Sequence, residues 1–195
     1  MGKRQMDILK NISDKELLFS LYFTQLTLFV LSVIFGIVEY EDTQQWLFLF
    51  QGEGIDILVG VMVGLIIVLI DIIGMKVLPP SYYDDGGINV RLFQHRSVLH
   101  IFFIAAVVAF CEELFFRGVL QTTFGWFLAS SVFALVHFRY FSHWFLIFNI
   151  VLLSFFFGWM YETYTSLPMM IALHFTINFF LGLYIRMQSG KEETH

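Results

Sequence analysis

Two adjacent carboxylates and an arginine lie inside an apolar run long enough to cross a membrane. The run covers residues 98–124 and contains Glu112, Glu113 and Arg117. An ionisable side chain at bilayer depth is costly, so it pairs with another group, faces a protein interior and marks function. Three within six positions force the rest of the chain to build an interior around them. The composition says which kind. Hydrophobic residues make up 58% of the 195 positions, Phe alone numbers 25, and charged residues reach only 14%, against about a quarter in soluble domains. The chain has no basic patch, which argues against nucleic-acid binding. A single cysteine, Cys111, excludes an internal disulfide.

Apolar runs of spanning length recur at 17–38, 55–75, 98–124, 144–161 and 167–187, with a shorter one at 127–138. The first is too long for a signal-peptide core and is followed by Glu39-Tyr40-Glu41-Asp42, so it reads as an uncleaved anchor. The patch Trp46 to Phe50 is too short to span and reads as interfacial. Residues 76–96 contain Pro79-Pro80, Asp84-Asp85 and Gly86-Gly87 and read as a loop. Gly125-Trp126 predicts a tight connection. The expected fold is all-α: one membrane domain over 1–195, a polytopic transmembrane helix bundle of about six spans plus a short interfacial segment, with a polar tail at 188–195.

Charge distribution supports that count. With six spans, Lys3, Arg4, Lys10, Lys15, Lys76, Arg91, Arg96, Arg139, Arg186 and Lys191 all fall on one side. The positive-inside rule makes that side the cytoplasm and puts both termini there. The opposite loops, 39–54, 125–126 and 162–166, carry no Lys or Arg.

Depth links the polar residues of different spans. At ~1.5 Å rise per residue, Glu112 lies roughly 18 Å from the outer end of its run, His137 roughly 16 Å, His174 about 10 Å and Asn178 about 16 Å. The four can therefore share one level. Glu113 and Arg117 are four apart and stack on one helix face as an ion pair. Glu112 is turned by about 100° from Glu113, onto a face with Ala105, Ala109 and Phe116. Small residues at four-residue spacing admit a close neighbouring helix, so Glu112 is expected at a packed, poorly hydrated interface as a general base. His174 and Asn178, also four apart, can both donate to one developing charge.

Each of these residues also has a plainer reading. Glu113 and Arg117 can simply lock helices together, and a membrane histidine such as His137 can serve as an interhelical hydrogen bond. Asn149 reads as structural glue. His95, His100 and His143 read as solvated, Asp56 and Asp71 as helix-end residues that reach water, and Cys111 as packing. The conjunction of Glu, His, His and Asn at matching depth is what favours a site.

Glu112-Glu113-x-x-x-Arg117-Gly118, then Phe133-x-x-x-His137, then His174-x-x-x-Asn178 resemble the three motifs of the CAAX protease and bacteriocin-processing (CPBP, or Abi) family of intramembrane proteases. The stretch Gly158 to Pro168 is similar to the segment that precedes the third motif. The resemblance covers roughly 97–182. It implies a catalytic core at 97–187 preceded by anchor helices at 1–96. By that resemblance Glu112 activates water, His137 holds it and shares its proton, and His174 with Asn178 stabilises the oxyanion. Glu113 and Arg117 support the site.

The resemblance further implies an endopeptidase acting on a membrane-associated peptide: a pheromone, a bacteriocin leader or a prenylated C-terminus. The setting expected is a bacterial cell membrane, and the partners expected are lipid and peptide or protein substrate. No cofactor is expected. The usual helical zinc signature His-Glu-x-x-His is missing, although two histidines and a carboxylate can ligate zinc, so a zinc-dependent version stands as an alternative. A non-catalytic immunity or regulatory membrane protein is the alternative from another class. A proton-coupled transporter is a third, which the lack of an evident inverted repeat disfavours.

Overall fold

The computed structural model describes residues 12–40, 42–137 and 144–192. All regular structure among the described residues is helical: α1 (Asp14–Glu39), α2 (Thr43–Leu49), α3 (Gly54–Val77), α4 (Ile88–Phe93), α5 (Val98–Phe124), α6 (Trp126–Val136), α7 (Trp144–Tyr164) and α8 (Leu167–Glu192). Five of these, α1, α3, α5, α7 and α8, are long and apolar enough to cross a membrane. The short run at 127–138 folds as the 11-residue α6, only ~16 Å long, which is about half the hydrocarbon thickness. Its continuation, with Arg139 and His143, lies outside the described residues, as do Lys3, Arg4 and Lys10.

The helix ends follow local chemistry. Ser13 and Glu16 form a capping box at the start of α1. Asp42 accepts from the Gln45 amide at α2, Ser97 from the His100 amide at α5 and Ser166 from the Met169 amide at α8. Each satisfies an amide that has no partner within its helix. Gly125 joins α5 to α6 at φ +82°, a conformation that costs glycine nothing. The stretch read as loop, 76–96, contains more order than its Pro and Gly content suggested: a 3-10 turn at Pro80–Tyr82 and then α4, whose Ile88, Leu92 and Phe93 are buried. The interfacial patch forms α2, but its Leu49 is buried in the core and its Trp46 packs against Gly36 of α1.

Glycines set a close contact between two long helices. A Cβ at Gly60 of α3 would lie 2.3 Å from the Met169 carbonyl oxygen, and one at Gly64 would lie 2.8 Å from Thr176 Cβ. Two glycines one turn apart thus bring α8 against α3, the small-residue device of membrane helices. Opposite α3, α8 packs on α5. This sandwich places the His174 turn beside the Glu-Glu pair.

The continuous helix expected at 98–124 is interrupted in kind, though not in length. Leu114–Gln121 is π-helical, immediately after Glu113. Wider turns leave backbone carbonyls in need of other donors, and such segments occur at functional sites. Here the Gly118 carbonyl accepts from the Tyr40 hydroxyl and from Thr122 Oγ1 at 3.0 Å, which also lies 3.1 Å from the Arg117 carbonyl. Burial pushes the Tyr40 phenol up, against the opposing effect of its bond with Thr122, so Tyr40 stays a donor at physiological pH.

Candidate active site

Glu112 lines a cavity of about 450 Å³ together with His137, His174 and Asn178. α5 provides the carboxylate, the end of α6 provides His137, and one face of α8 provides the other two. The wall continues through Leu17, Leu21 and Gln25 of α1 and Ile88 and Leu92 of α4. It is therefore an apolar cavity with a few converging polar groups, the usual character of a small-molecule or peptide-side-chain site.

Histidine tautomers follow from the partners. His137 Nδ1 lies 2.7 Å from the Phe133 carbonyl oxygen. A carbonyl only accepts, so Nδ1 carries the proton and Nε2 is the basic nitrogen of the neutral ring. His174 Nδ1 lies 2.8 Å from Glu113 Oε1, and its Nε2 lies 3.9 Å from Glu112 Oε2. The first contact is a hydrogen bond. The second is too long for one and is a charge-to-charge approach across the cavity wall. With both nitrogens protonated, His174 donates to Glu113 and presents an N–H toward Glu112.

Behind the cavity lies a closed cluster. The Glu113 and Arg117 side chains are 0% and 1% exposed, with Arg117 Nε 3.3 Å from Glu113 Oε2. Arg117 Nη2 donates to the Ser154 carbonyl at 3.3 Å. Its guanidinium sits 4.6 Å from the Phe133 ring centroid and 5.5 Å from that of Phe157, in cation–π range. Ser154 Oγ in turn donates to the Ser130 carbonyl at 2.7 Å. Glu113 therefore bridges His174 to Arg117, and Arg117 ties that unit to α6 and α7.

The sequence-derived residues all meet around one site, with two changes of environment. Glu112 is not in a closed interface: its side chain is 12% exposed, on a cavity wall, and Glu113 takes the fully enclosed position. Ala105 and Ala109 are packed shut as expected. Asn149 donates to the Phe145 carbonyl of its own helix at 3.0 Å, so this bond does not join helices. His95 is exposed, whereas His100 is half-buried with Nε2 3.3 Å from the Tyr22 hydroxyl. Cys111 is buried.

Sequence reasoning missed the Glu113–His174 bond, because it paired Glu113 with Arg117 alone. It also missed Gln25, whose Nε2 donates to Glu112 Oε1 at 3.0 Å. A polar side chain within an apolar run was the available signal. Among the described residues, no three His, Cys, Asp or Glu side chains are grouped so that they could hold a metal ion.

A family model described as type II CAAX prenyl endopeptidase Rce1-like matches residues 94–180, the stretch that holds Glu112, His137, His174 and Asn178. The chain is 38% identical over 173 residues to a Bacillus subtilis (strain 168) protein described as uncharacterized protein YpbD, covering 88% of this chain and 92% of that one. No solved structure matches.

Proposed function

Because the chain belongs to the CAAX protease and bacteriocin-processing family, whose members are membrane endopeptidases, we propose that it cleaves a peptide bond with water activated by Glu112 and His137. The observation that carries this reading is the convergence of Glu112, His137, His174 and Asn178, from three helices, on one cavity. In the proposed reaction a water lies between the Glu112 carboxylate and the basic Nε2 of His137. One of these takes its proton as the oxygen bonds to the scissile carbonyl carbon. His174 Nε2–H and the Asn178 amide donate to the oxyanion, the logic of preorganised charge stabilisation. The C–N bond then breaks, and the proton passes to the departing amine. Glu113 holds His174 in orientation, and Arg117 holds Glu113.

The cavity wall formed by Leu17 to Gln25 of α1 and by α4 supports entry from the side where the basic residues gather, proposed to be the cytoplasm of a bacterial cell. Proposed substrates are membrane-associated: a peptide pheromone, a bacteriocin leader or a prenylated C-terminus. Mass spectrometry of membrane peptides from cells carrying wild-type protein or Glu112→Gln tests this. Precursors should accumulate only in the variant, and the purified wild type should cleave them in detergent. Activity retained in Glu112→Ala would sink the mechanism.

We further propose that the water is activated without metal. The pairing of an asparagine with His174 on one helix face suits a hydrogen-bonding site, since the amide is a poor zinc ligand. Elemental analysis of purified, active protein should find no stoichiometric zinc. One zinc per chain, with activity lost on chelation and restored by zinc, would overturn this.

A further inference from the structure

The family match begins at residue 94, yet a residue of α1 touches the central carboxylate. Gln25 is 4% exposed and shares the buried stripe of α1 with Leu17, Ser32 and Gly36. Its amide nitrogen lies 3.0 Å from Glu112 Oε1. The amide orientation is fixed by chemistry, because a carboxylate only accepts. The two oxygens of Glu112 therefore differ: Oε1 is held by α1, and Oε2 faces His174 Nε2 across 3.9 Å. The terminal torsion of a glutamate is broad and roughly two-fold, so such a bond restricts which oxygen is presented to the cavity.

Packing alone does not account for a glutamine here. Its Oε1 is buried without a hydrogen-bond partner, a costly arrangement that an apolar side chain of equal length would avoid. The other ionisable or polar groups around Glu112 and its cavity are Glu113, Cys111 and Arg117 on its own helix, Ser20 and Thr24 of α1, Asn89 of α4, His137 of α6, and His174 and Asn178 of α8. His174 faces Oε2 rather than the oxygen that Gln25 holds.

We infer that Gln25 is a positioning residue of the active site, contributed by the anchor helix, which holds Glu112 so that Oε2 faces the water and His174. The inference rests on the reading of Glu112 as the base. Its test uses the full-length protein in detergent, with Gln25→Met, which keeps length and removes the donor, and Gln25→Glu, which keeps shape and turns a carboxylate toward Glu112.

Two readouts decide it. With a farnesylated, CAAX-terminated peptide carrying a fluorophore and quencher, kcat should fall roughly 10- to 100-fold in Gln25→Met, the worth of a hydrogen bond to a charged group. KM should stay within about twofold, and Gln25→Glu should fall at least as far. Infrared spectra of glutamate-labelled protein, with the Glu112 band identified by its loss in Glu112→Gln, should show that band shifted in Gln25→Met. This second readout needs no substrate turnover, and a purely structural role for Gln25 would leave the band in place. An unmoved band, or kcat unchanged while Glu112→Gln is inactive, overturns the positioning role alone. Activity that survives Glu112→Gln overturns the catalytic reading beneath it.

Discussion

Glu112 and Glu113 are chain neighbours with the same side chain in opposite surroundings. Glu113 is sealed between His174 and Arg117 with no exposed surface, whereas Glu112 stands on a cavity wall, 12% exposed, held by Gln25. A turn of about 100° per residue is enough to separate them. The difference teaches that a buried charge does one of two jobs. One that is paired with other charged groups and shut away from solvent sets geometry. One with an oxygen turned to an open volume can do chemistry there.

The comparison breaks most directly at Glu112. Replacing Glu112 with Gln should cut turnover on the order of 10⁴-fold, the upper range for a general base, while the melting temperature in detergent changes little. Glutamine keeps the size and shape of glutamate, so little packing is lost. If Glu112→Gln lowers the melting temperature as much as a change in the sealed cluster does, the division of labour is wrong.

Arg117 probes the other side. Arg117→Met leaves Glu113 buried with His174 as its remaining partner and removes a guanidinium seated on two aromatic rings. Breaking one partner of a buried ion pair costs about 3–5 kcal/mol. The expected outcome is a large drop in melting temperature and poor yield. Normal thermal stability in this variant would show that the cluster is dispensable scaffolding.

How far this arrangement could be read from the chain depends on the kind of information each part needs. Charged and polar residues inside apolar runs announce themselves, since the bilayer penalises them whatever the fold. Glu112, His137, His174 and Asn178 were legible for that reason, as was the stacking of Glu113 on Arg117. That Glu112 faces an open cavity and not a closed helix interface was not legible. Solvent access depends on how α1, α6 and α8 pack around α5, and a one-residue rotation decides it. The π segment was also hidden, because its hydrogen-bond shift leaves no mark in hydropathy. Gln25 was visible but unweighted: a neutral amide costs less in a membrane than a charge, and its value appears only when Glu112 is found beside it. Gly60 and Gly64 show the same limit. Two glycines four apart in an apolar run went unweighted, and only the structure names α8 as their neighbour.

The smallest effect concerns the joint between the two regions, the π segment that follows Glu113. Its Gly118 carbonyl is supported by the Tyr40 hydroxyl from the end of α1 and by Thr122 Oγ1. Tyr40→Phe keeps the ring, which packs edge-on against Trp46 at 5.2 Å, and removes only the hydroxyl. A neutral hydrogen bond contributes about 1 kcal/mol, and Thr122 continues to serve the same carbonyl, so the single variant should melt only slightly lower. Thr122→Val alone should behave similarly, because Tyr40 remains. The double variant removes both side-chain donors from a buried acceptor, whose desolvation is then less well compensated. Its loss should exceed the sum of the two single losses, a coupling expected for side chains that share one partner. Strict additivity in a thermal-unfolding cycle would mean that the hydroxyls do not act on a common carbonyl, and that the π turn is held by the packing of α5 alone.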